Sequence, residues 1–280
     1  MLTKSIGLCA GLFLCIGGVC GLPAATAQET SASVTPPPKV LRIDVENLKP
    51  GKAGAAHHKT ESAFIKISQG DPSAPHYLAM QSLSGPDRAL FFFSYDSFAD
   101  MEKERKAEMN SPSAAQLDSA FEADGELLTS LSTNIYTYRE DLSHNAPCAI
   151  ATMRYMQISL LHIRPGHQPE FEEYLKMFAS AIEKTEPGRH VAVYQSAYGW
   201  ENGGVWIIIT PMKSLDEVDK ADADTAKFRE NMGEANMKHY RELAAETIAS
   251  GQRNLFAFDP AMSWVPDDWV SADPTFWKHK

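Results

Sequence analysis

Cysteine, clustered positive charge and long uninterrupted apolar segments are all scarce in this sequence of 280 residues. Lysine and arginine number 26 against 36 aspartates and glutamates, which gives a formal net charge of -10. That balance argues against a nucleic-acid-binding protein, because recognition of a phosphate backbone needs a clustered excess of basic side chains. The hydrophobic fraction of 44% and the charged fraction of 22% are ordinary for a globular protein and exclude a disordered polyelectrolyte or a multi-span membrane protein.

The linear signatures of several enzyme classes are also missing from the sequence. There is no Gly-x-Ser-x-Gly, His-Glu-x-x-His or Cys-x-x-Cys, no Walker A loop, and no Gly-x-Gly-x-x-Gly after a strand. Serine hydrolases, zincins, nucleotide-binding proteins and thioredoxin-like proteins are therefore disfavoured. Cofactor-free oxygen chemistry stays open, because such sites leave no linear motif.

The first 27 residues have the pattern of a signal peptide. Lys4 is the only charged residue before Glu29, an apolar and glycine-rich segment covers residues 6–22, and Ala25-Thr26-Ala27 is a small-x-small cleavage pattern. We expect cleavage after Ala27, a periplasmic or secreted protein, and no membrane span in the mature chain. A membrane anchor, or a lipid anchor at Cys20, is the alternative.

Cleavage would leave Cys148 as the sole cysteine, because the other three cysteines lie in the first twenty residues. No internal disulfide is then possible. Residues 28–39, which contain three consecutive prolines at 36–38, have almost no apolar side chains, and we expect a poorly ordered leader.

Internal duplication is the strongest pattern in the chain. Five blocks match in the same order with offsets of 114 to 120 residues: 41–51 with 156–166, 78–82 with 192–196, 90–93 with 205–208, 97–100 with 214–217, and 134–138 with 254–258. We therefore predict two homologous units, residues 40–140 and 154–260, joined by a linker at 141–153 and followed by an aromatic-rich arm at 261–280.

Each unit is predicted to run strand, helix, strand, strand, helix, strand. The first strand alternates with period two, so that Leu41, Ile43 and Val45 point to one side and polar residues to the other. Turn residues at 84–87 and 199–204 predict a hairpin in each unit. This order indicates an α+β fold with antiparallel sheets, and we expect helices to cover the apolar face.

The doubled unit, whose first strands end in Lys49-Pro50-Gly51 and Arg164-Pro165-Gly166, resembles the dimeric α/β barrel superfamily. That superfamily includes antibiotic-biosynthesis-type monooxygenases, NIPSNAP-like proteins and haem-handling relatives of chlorite dismutase. The resemblance covers both units and implies two tandem ferredoxin-like (βαββαβ) units whose sheets pair into one barrel, either within a monomer or in a homodimer. It also implies a cavity lined by the faces that carry no helices.

If helices cover the apolar face, the polar positions of the strands line the barrel. The predicted ligand-binding residues are Arg42, Asp44, Glu46, Gln81, Gln195 and Tyr136, and the positions equivalent to the first three are Gln157, Ser159 and Leu161. The candidates for a catalytic role are His162, Tyr194 and Trp206. A paired charge network and a set of core aromatics are the alternative interpretations.

Histidines are the residues with the best chemistry for metal, haem or proton transfer. His57 and His58 are adjacent on a predicted helix, so their side chains diverge, and we expect both on the surface. His162 and His167 flank a Pro-Gly turn and are weak metal candidates, and His239 is a weak haem candidate because haem-binding members of the superfamily use a helical histidine. The leading expectation is no metal and no cofactor.

Taken together, these patterns favour an exported protein that binds or senses a small molecule of unknown identity. A cofactor-independent monooxygenase or isomerase, or a haem-handling protein, is the alternative. Four large aromatic residues lie in the terminal arm, at positions 264, 269, 276 and 277. We expect the arm to dock on the barrel, to reach a second chain, or to form a lid over a ligand site.

Overall fold

The computed structural model describes residues 33–200 and 204–278. The predicted signal peptide and the first five residues of the predicted leader lie outside the described residues. Within the described part of the chain, no helix has both the length and the apolar character needed to cross a membrane.

Both repeats have the predicted element order, but the second helix of each unit is divided, into two helices in the first repeat and into three in the second. The first repeat consists of β1 (Val40–Leu48), α1 (Ala55–Gln69), β2 (Tyr77–Ser82), β3 (Arg88–Tyr95), α2 (Phe98–Met109), α3 (Ala114–Gly125) and β4 (Leu128–Tyr138). The second consists of β5 (Tyr155–Ile163), α4 (Gln168–Thr185), β6 (Ala192–Tyr198), β7 (Val205–Met212), α5 (Asp216–Ala223), α6 (Thr225–Met232), α7 (Glu234–Thr247) and β8 (Ile248–Phe258). Two short helices, α8 (Asp267–Ala272) and α9 (Pro274–Trp277), form the terminal arm.

The eight strands form one closed antiparallel barrel in the order β1-β3-β2-β8-β5-β7-β6-β4. Each repeat contributes a four-stranded sheet with the ferredoxin-like order. The sheets are joined where β2 pairs with β8 and where β4 pairs with β6. The prediction of two ferredoxin-like units that form one barrel is confirmed, and the barrel closes within a single chain.

The interior of the barrel is filled by apolar side chains from both repeats, which corrects the predicted orientation of the strands. Leu41 and Ile43 point into the barrel, where they belong to a cluster with Met80, Ile158 and Ile207. The polar positions of β1 face outward, toward the helices. The prediction was wrong because the helices cover only part of the outer face, whereas barrel closure removes most of the inner face from water.

Smaller apolar clusters hold the helices on the outer face. Ile65 of α1 packs with Phe91 of β3, and Phe171 and Leu175 of α4 pack with Trp206 of β7. Burial of such side chains contributes roughly 1.5–3 kcal/mol each, so these clusters fix the position of the first helix of each repeat.

Both ends of the described chain are attached to the barrel. Thr35, in the predicted leader, exchanges two backbone hydrogen bonds with the buried Cys148. Trp277 of the arm is buried and donates from Nε1 to the carbonyl of Ala151 at 2.7 Å. Residues 33–39, the described part of the predicted leader, are therefore attached to the barrel. The C-terminal arm docks on the barrel of its own chain.

The junction between β4 and β6 depends on a glycine at the end of β6. Gly199 has a φ of +102°, and a Cβ there would lie 2.5 Å from the carbonyl oxygen of Thr133 on β4. We expect Gly199→Ala to destabilise the protein by about 1–3 kcal/mol, because the side chain adds both backbone strain and a clash. The measurement is urea unfolding followed by circular dichroism.

Gly188→Ala is the matched control, since a Cβ at Gly188 meets nothing within 4 Å and its φ lies outside the left-handed region. Its effect should stay within about 0.5 kcal/mol. Equal unfolding midpoints for the two variants would contradict the described junction.

Candidate functional site

A cavity of about 590 Å³ opens at one end of the barrel, and we call it the barrel-mouth cavity. Its floor consists of inward side chains from both repeats, including Leu41, Phe92, Met156 and Tyr194. Its rim consists of Pro36–Pro38 before β1 and of Val265, Pro266 and Trp269 in the arm. The cavity is therefore bounded by the barrel, the leader and the arm together.

Few polar groups face the barrel-mouth cavity. The Tyr194 hydroxyl donates to the carbonyl of Pro38 at 3.2 Å, and the Tyr95 hydroxyl donates to Glu104 Oε1. Burial raises the pKa of Glu104 and raises that of Tyr194 well above its ordinary value. Asp96 lies at the same rim, so an anionic group entering here would meet acidic side chains.

A wider cleft of about 1100 Å³ separates the second sheet from its helices. Tyr174 of α4 stacks on Tyr240 of α7, with ring centroids 4.4 Å apart and a hydrogen bond between their hydroxyls. Gln157, Ser159 and Leu161, which we expected inside the barrel, line this cleft on the outer face of β5. The cleft is broad and open to solvent, and the Arg253 side chain that lines it is exposed.

A buried cluster of one imidazole and three carboxylates lies between the first sheet and its helices. We call it the His57 cluster, and it consists of Glu46 (β1), His57 and Glu61 (α1), and Asp124 (α3). Glu46 Oε2 lies 2.9 Å from His57 Nε2, and Glu61 Oε1 and Asp124 Oδ1 each lie 3.6 Å from the same nitrogen. These four side chains are the group in the described residues whose donor atoms could hold a metal ion.

The electrostatics of the His57 cluster follow from its burial. Burial raises the pKa of Glu46, although the hydrogen bond to His57 opposes the shift. The pKa of Glu61 is raised well above its ordinary value, first by burial and then by the neighbouring carboxylates of Glu46 and Asp124. One imidazole cannot neutralise three carboxylates, so the cluster must take up protons or a cation.

The predicted ligand-binding residues are divided between the two faces of the sheet. Arg42 and Asp44 form an ion pair on the outer face and line a small pocket of about 110 Å³ beside Glu46. Gln81 contacts His58 and Asp259, while Gln195 contacts Arg139 and Gln168, so both glutamines also point outward. Tyr136 alone of the predicted set points into the barrel, where burial raises its pKa to about 12.

The three candidates for catalysis lie in different surroundings. Tyr194 is inside the barrel and Trp206 is on the outer face, packed edge-on against Phe171 and under the guanidinium of Arg139. The His162 ring meets the edge of Trp200 at the end of β5. The structure does not bring these side chains together around one space.

The other histidine candidates also have separate environments. His167 precedes α4 and lies 3.6 Å from Glu246, with no contact to His162 among the hydrogen bonds and ion pairs of the described residues. His239 is about half exposed, and its Nε2 is hydrogen-bonded to Glu173 at 2.8 Å. Its ring lines none of the cavities described above, so the residues around His239 do not fit a haem ligand.

The prediction that His57 lies on the surface was wrong, because its side chain is fully buried. One available signal was the spacing of His57 and Glu61, which places both on the same face of a helix. Asp124 gave no such signal, since its position depends on how α3 packs beside α1.

Several solved structures have a similar fold. A "putative monooxygenase" from Fusobacterium nucleatum subsp. nucleatum superposes with a TM-score of 0.52 at 12% identity, covering 79% of this chain and 93% of that one. An anthrone oxidase-like protein superposes with a TM-score of 0.53 at 15% identity, covering 79% and 91%. Chlorite dismutase from Candidatus Nitrospira defluvii gives 0.47 at 9% identity, covering 84% and 94%.

No family model and no curated protein matches the sequence. At sequence identities this low, similarity to solved structures supports the fold and says nothing about activity. The chain has the dimeric α/β barrel fold, as the sequence predicted.

The raised pKa of Glu61 predicts a pH-dependent stability in metal-free buffer containing a chelator. The pKa of Glu61 in the native state is well above its ordinary value of 4.5, so the bound proton stabilises the fold at low pH. That contribution is lost as the pH rises through the native pKa. We expect the melting temperature of Glu61→Gln, relative to wild type, to rise by about 2–4 °C between pH 4.5 and pH 8.

Glu102→Gln is the control, because Glu102 is an exposed glutamate paired with Lys106 on α2. Its melting temperature should follow that of the wild type across the same pH range. A difference between Glu61→Gln and wild type that does not change with pH would contradict the described burial of Glu61.

Proposed function

We propose that this chain is an exported protein that binds a small apolar molecule in the barrel-mouth cavity. The observation that carries the proposal is a cavity of about 590 Å³ at the end of an otherwise packed barrel. Ligand sites typically occupy about 300–1000 Å³, have mostly apolar walls and lie in places such as the mouths of β-barrels. Of the spaces in the described residues, this cavity combines all three properties.

The walls of the cavity indicate the chemistry of the ligand. Apolar side chains from both repeats supply the floor, and Trp269 supplies an aromatic wall. The rim carries two carboxylates, Asp96 and Glu104, against one imidazole, His76, and this acidic balance disfavours a carboxylate or phosphate group. The ligand that fits best is neutral or cationic, largely apolar, and able to hydrogen-bond at one end.

Export is part of the proposal and rests on the sequence. Lys4, the apolar segment at 6–22 and the small-x-small pattern at 25–27 are typical of a cleaved signal peptide. Mass spectrometry of the protein from the periplasmic fraction tests it, with a mature chain beginning at Gln28 as the expected result. An intact Met1 on the protein from that fraction would contradict cleavage.

Cofactor-free oxygenation is the second candidate. It is supported by a fold shared with one protein described as a "putative monooxygenase" and another described as anthrone oxidase-like. The separate surroundings of His162, Tyr194 and Trp206 weigh against it, since catalysis needs groups that converge on one substrate. Oxygen consumption with a phenolic or quinoid substrate would favour the enzyme, whereas saturable binding without turnover favours the binding protein.

The neutral fluorophore N-phenyl-1-naphthylamine is a suitable probe of the barrel-mouth cavity. We expect saturable binding with one site per chain, detected as an increase in fluorescence. Trp269→Ala should raise Kd by about tenfold, because it removes an aromatic wall worth roughly 1.4 kcal/mol of contact.

Trp200→Ala is the matched control, since Trp200 also packs against the barrel interior but does not line the cavity. Its Kd should remain within about twofold of the wild-type value. An equal loss in both variants, or no saturable binding to wild type, would contradict the proposed site.

A further inference from the structure

The His57 cluster has the geometry of a metal site. One donor atom from each of its four residues lies within 4.8 Å of every other, and all four residues are buried. His57 and Glu61 are one helical turn apart on α1, so their side chains project from the same face. Glu46 reaches them from β1 and Asp124 from α3, which places donors on three sides of one point.

The donors are supported from outside the cluster. The Thr60 hydroxyl lies within hydrogen-bond distance of both Asp124 Oδ1 and the backbone carbonyl of His57, and it donates its one proton to one of these two acceptors. Contacts of this kind orient a ligand before a metal ion arrives.

Unused polar groups also point to a missing partner. Glu61 is 3% exposed, and its nearest basic atom is His57 Nε2 at 3.6 Å, which is beyond hydrogen-bond distance. The buried Tyr77 hydroxyl, which lines the same pocket as Glu46 and Glu61, has no hydrogen-bond partner among the described residues. Buried polar groups are normally satisfied, so the Tyr77 hydroxyl indicates that a polar group or an ion enters this pocket.

The second repeat shows that the fold does not need these charges. At the offsets that relate the two repeats, Leu161 stands in place of Glu46, Phe171 in place of His57, Leu175 in place of Glu61, and Ala244 in place of Asp124. Three of these side chains pack in the apolar cluster under α4. The same architecture is therefore stable with an apolar core at this position, and the charged version needs another explanation.

We propose that the His57 cluster binds one divalent first-row transition-metal ion, such as Zn²⁺, Fe²⁺ or Mn²⁺. An imidazole nitrogen with carboxylate oxygens suits these ions, whereas Ca²⁺ and Mg²⁺ prefer all-oxygen sites. A tetrahedral ion with bonds of about 2.0–2.2 Å holds its donors about 3.3–3.6 Å apart, close to the separations of Glu61 and Asp124 from His57. The hydrogen-bonded Glu46 would move outward slightly on binding.

The adjoining pocket provides access to the site. Its volume of about 110 Å³ is bordered by Glu46 and Glu61 and by the aromatic rings of Phe64 and Phe91. That space holds a few water molecules, so a bound ion can keep a coordination position that the protein does not fill.

The experiment uses the full mature chain, stripped with a chelator and titrated with Zn²⁺, Mn²⁺ or Co²⁺ alone. We expect one ion per chain by calorimetry and native mass spectrometry. The melting temperature should rise by about 5–10 °C when the free ion exceeds Kd about 100-fold. Glu61→Gln and His57→Gln should each weaken binding at least about tenfold.

A second variant distinguishes loss of metal binding from loss of the fold. Glu46→Leu, His57→Phe and Glu61→Leu, combined in one chain, copy the second repeat, and we expect that chain to fold cooperatively and bind no ion. As the matched control, Glu173→Gln removes a carboxylate from the exposed pair with His239 and should leave the affinity unchanged.

Three outcomes would overturn the proposal. The first is wild-type protein that binds no ion at the stoichiometry of one per chain. The second is a combined variant that folds and still binds with wild-type affinity. The third is tighter binding of Mg²⁺ or Ca²⁺ than of Zn²⁺ and Mn²⁺, which would contradict the class of ion.

Discussion

The barrel closes through the two strand pairs that join the repeats. This closure determines which side chains of the strands lie inside the barrel and which face the helices. The pairing of β2 with β8 and of β4 with β6 leaves no free sheet edge and encloses one face of all eight strands. The enclosed face is mainly apolar, because closure removes most of it from water and leaves only the barrel mouth open. Polar side chains of the strands are consequently placed outside, where they meet the helices.

That constraint explains which features were predictable from the sequence. Matched blocks at a nearly constant offset revealed the duplication, and alternation in β1 separated Leu41 and Ile43 from Arg42 and Asp44. Alternation defines two faces but does not say which one becomes enclosed, so the inner and outer sets were exchanged in the prediction. The position of Asp124 beside His57 depends on helix packing between distant segments, which no local pattern encodes.

The two repeats share one backbone plan and use it differently. In the second repeat, Phe171 and Leu175 of α4 fill the space next to the sheet, and a wide cleft opens farther along. In the first repeat, the corresponding space holds buried carboxylates around His57. The barrel mouth combines residues of both repeats with the leader and the arm, and Tyr77 borders both this cavity and the pocket beside the His57 cluster.

A crystal structure of the mature chain grown with Zn²⁺, with anomalous data collected at the zinc edge, tests the account most directly. We predict apolar side chains of β1 inside a closed barrel, Glu46 outside it, and one anomalous peak about 2.0–2.2 Å from His57 Nε2 and from the neighbouring carboxylate oxygens. Arg42, Asp44 and Glu46 pointing into the barrel, or a map without a peak between His57, Glu61 and Asp124, would contradict it.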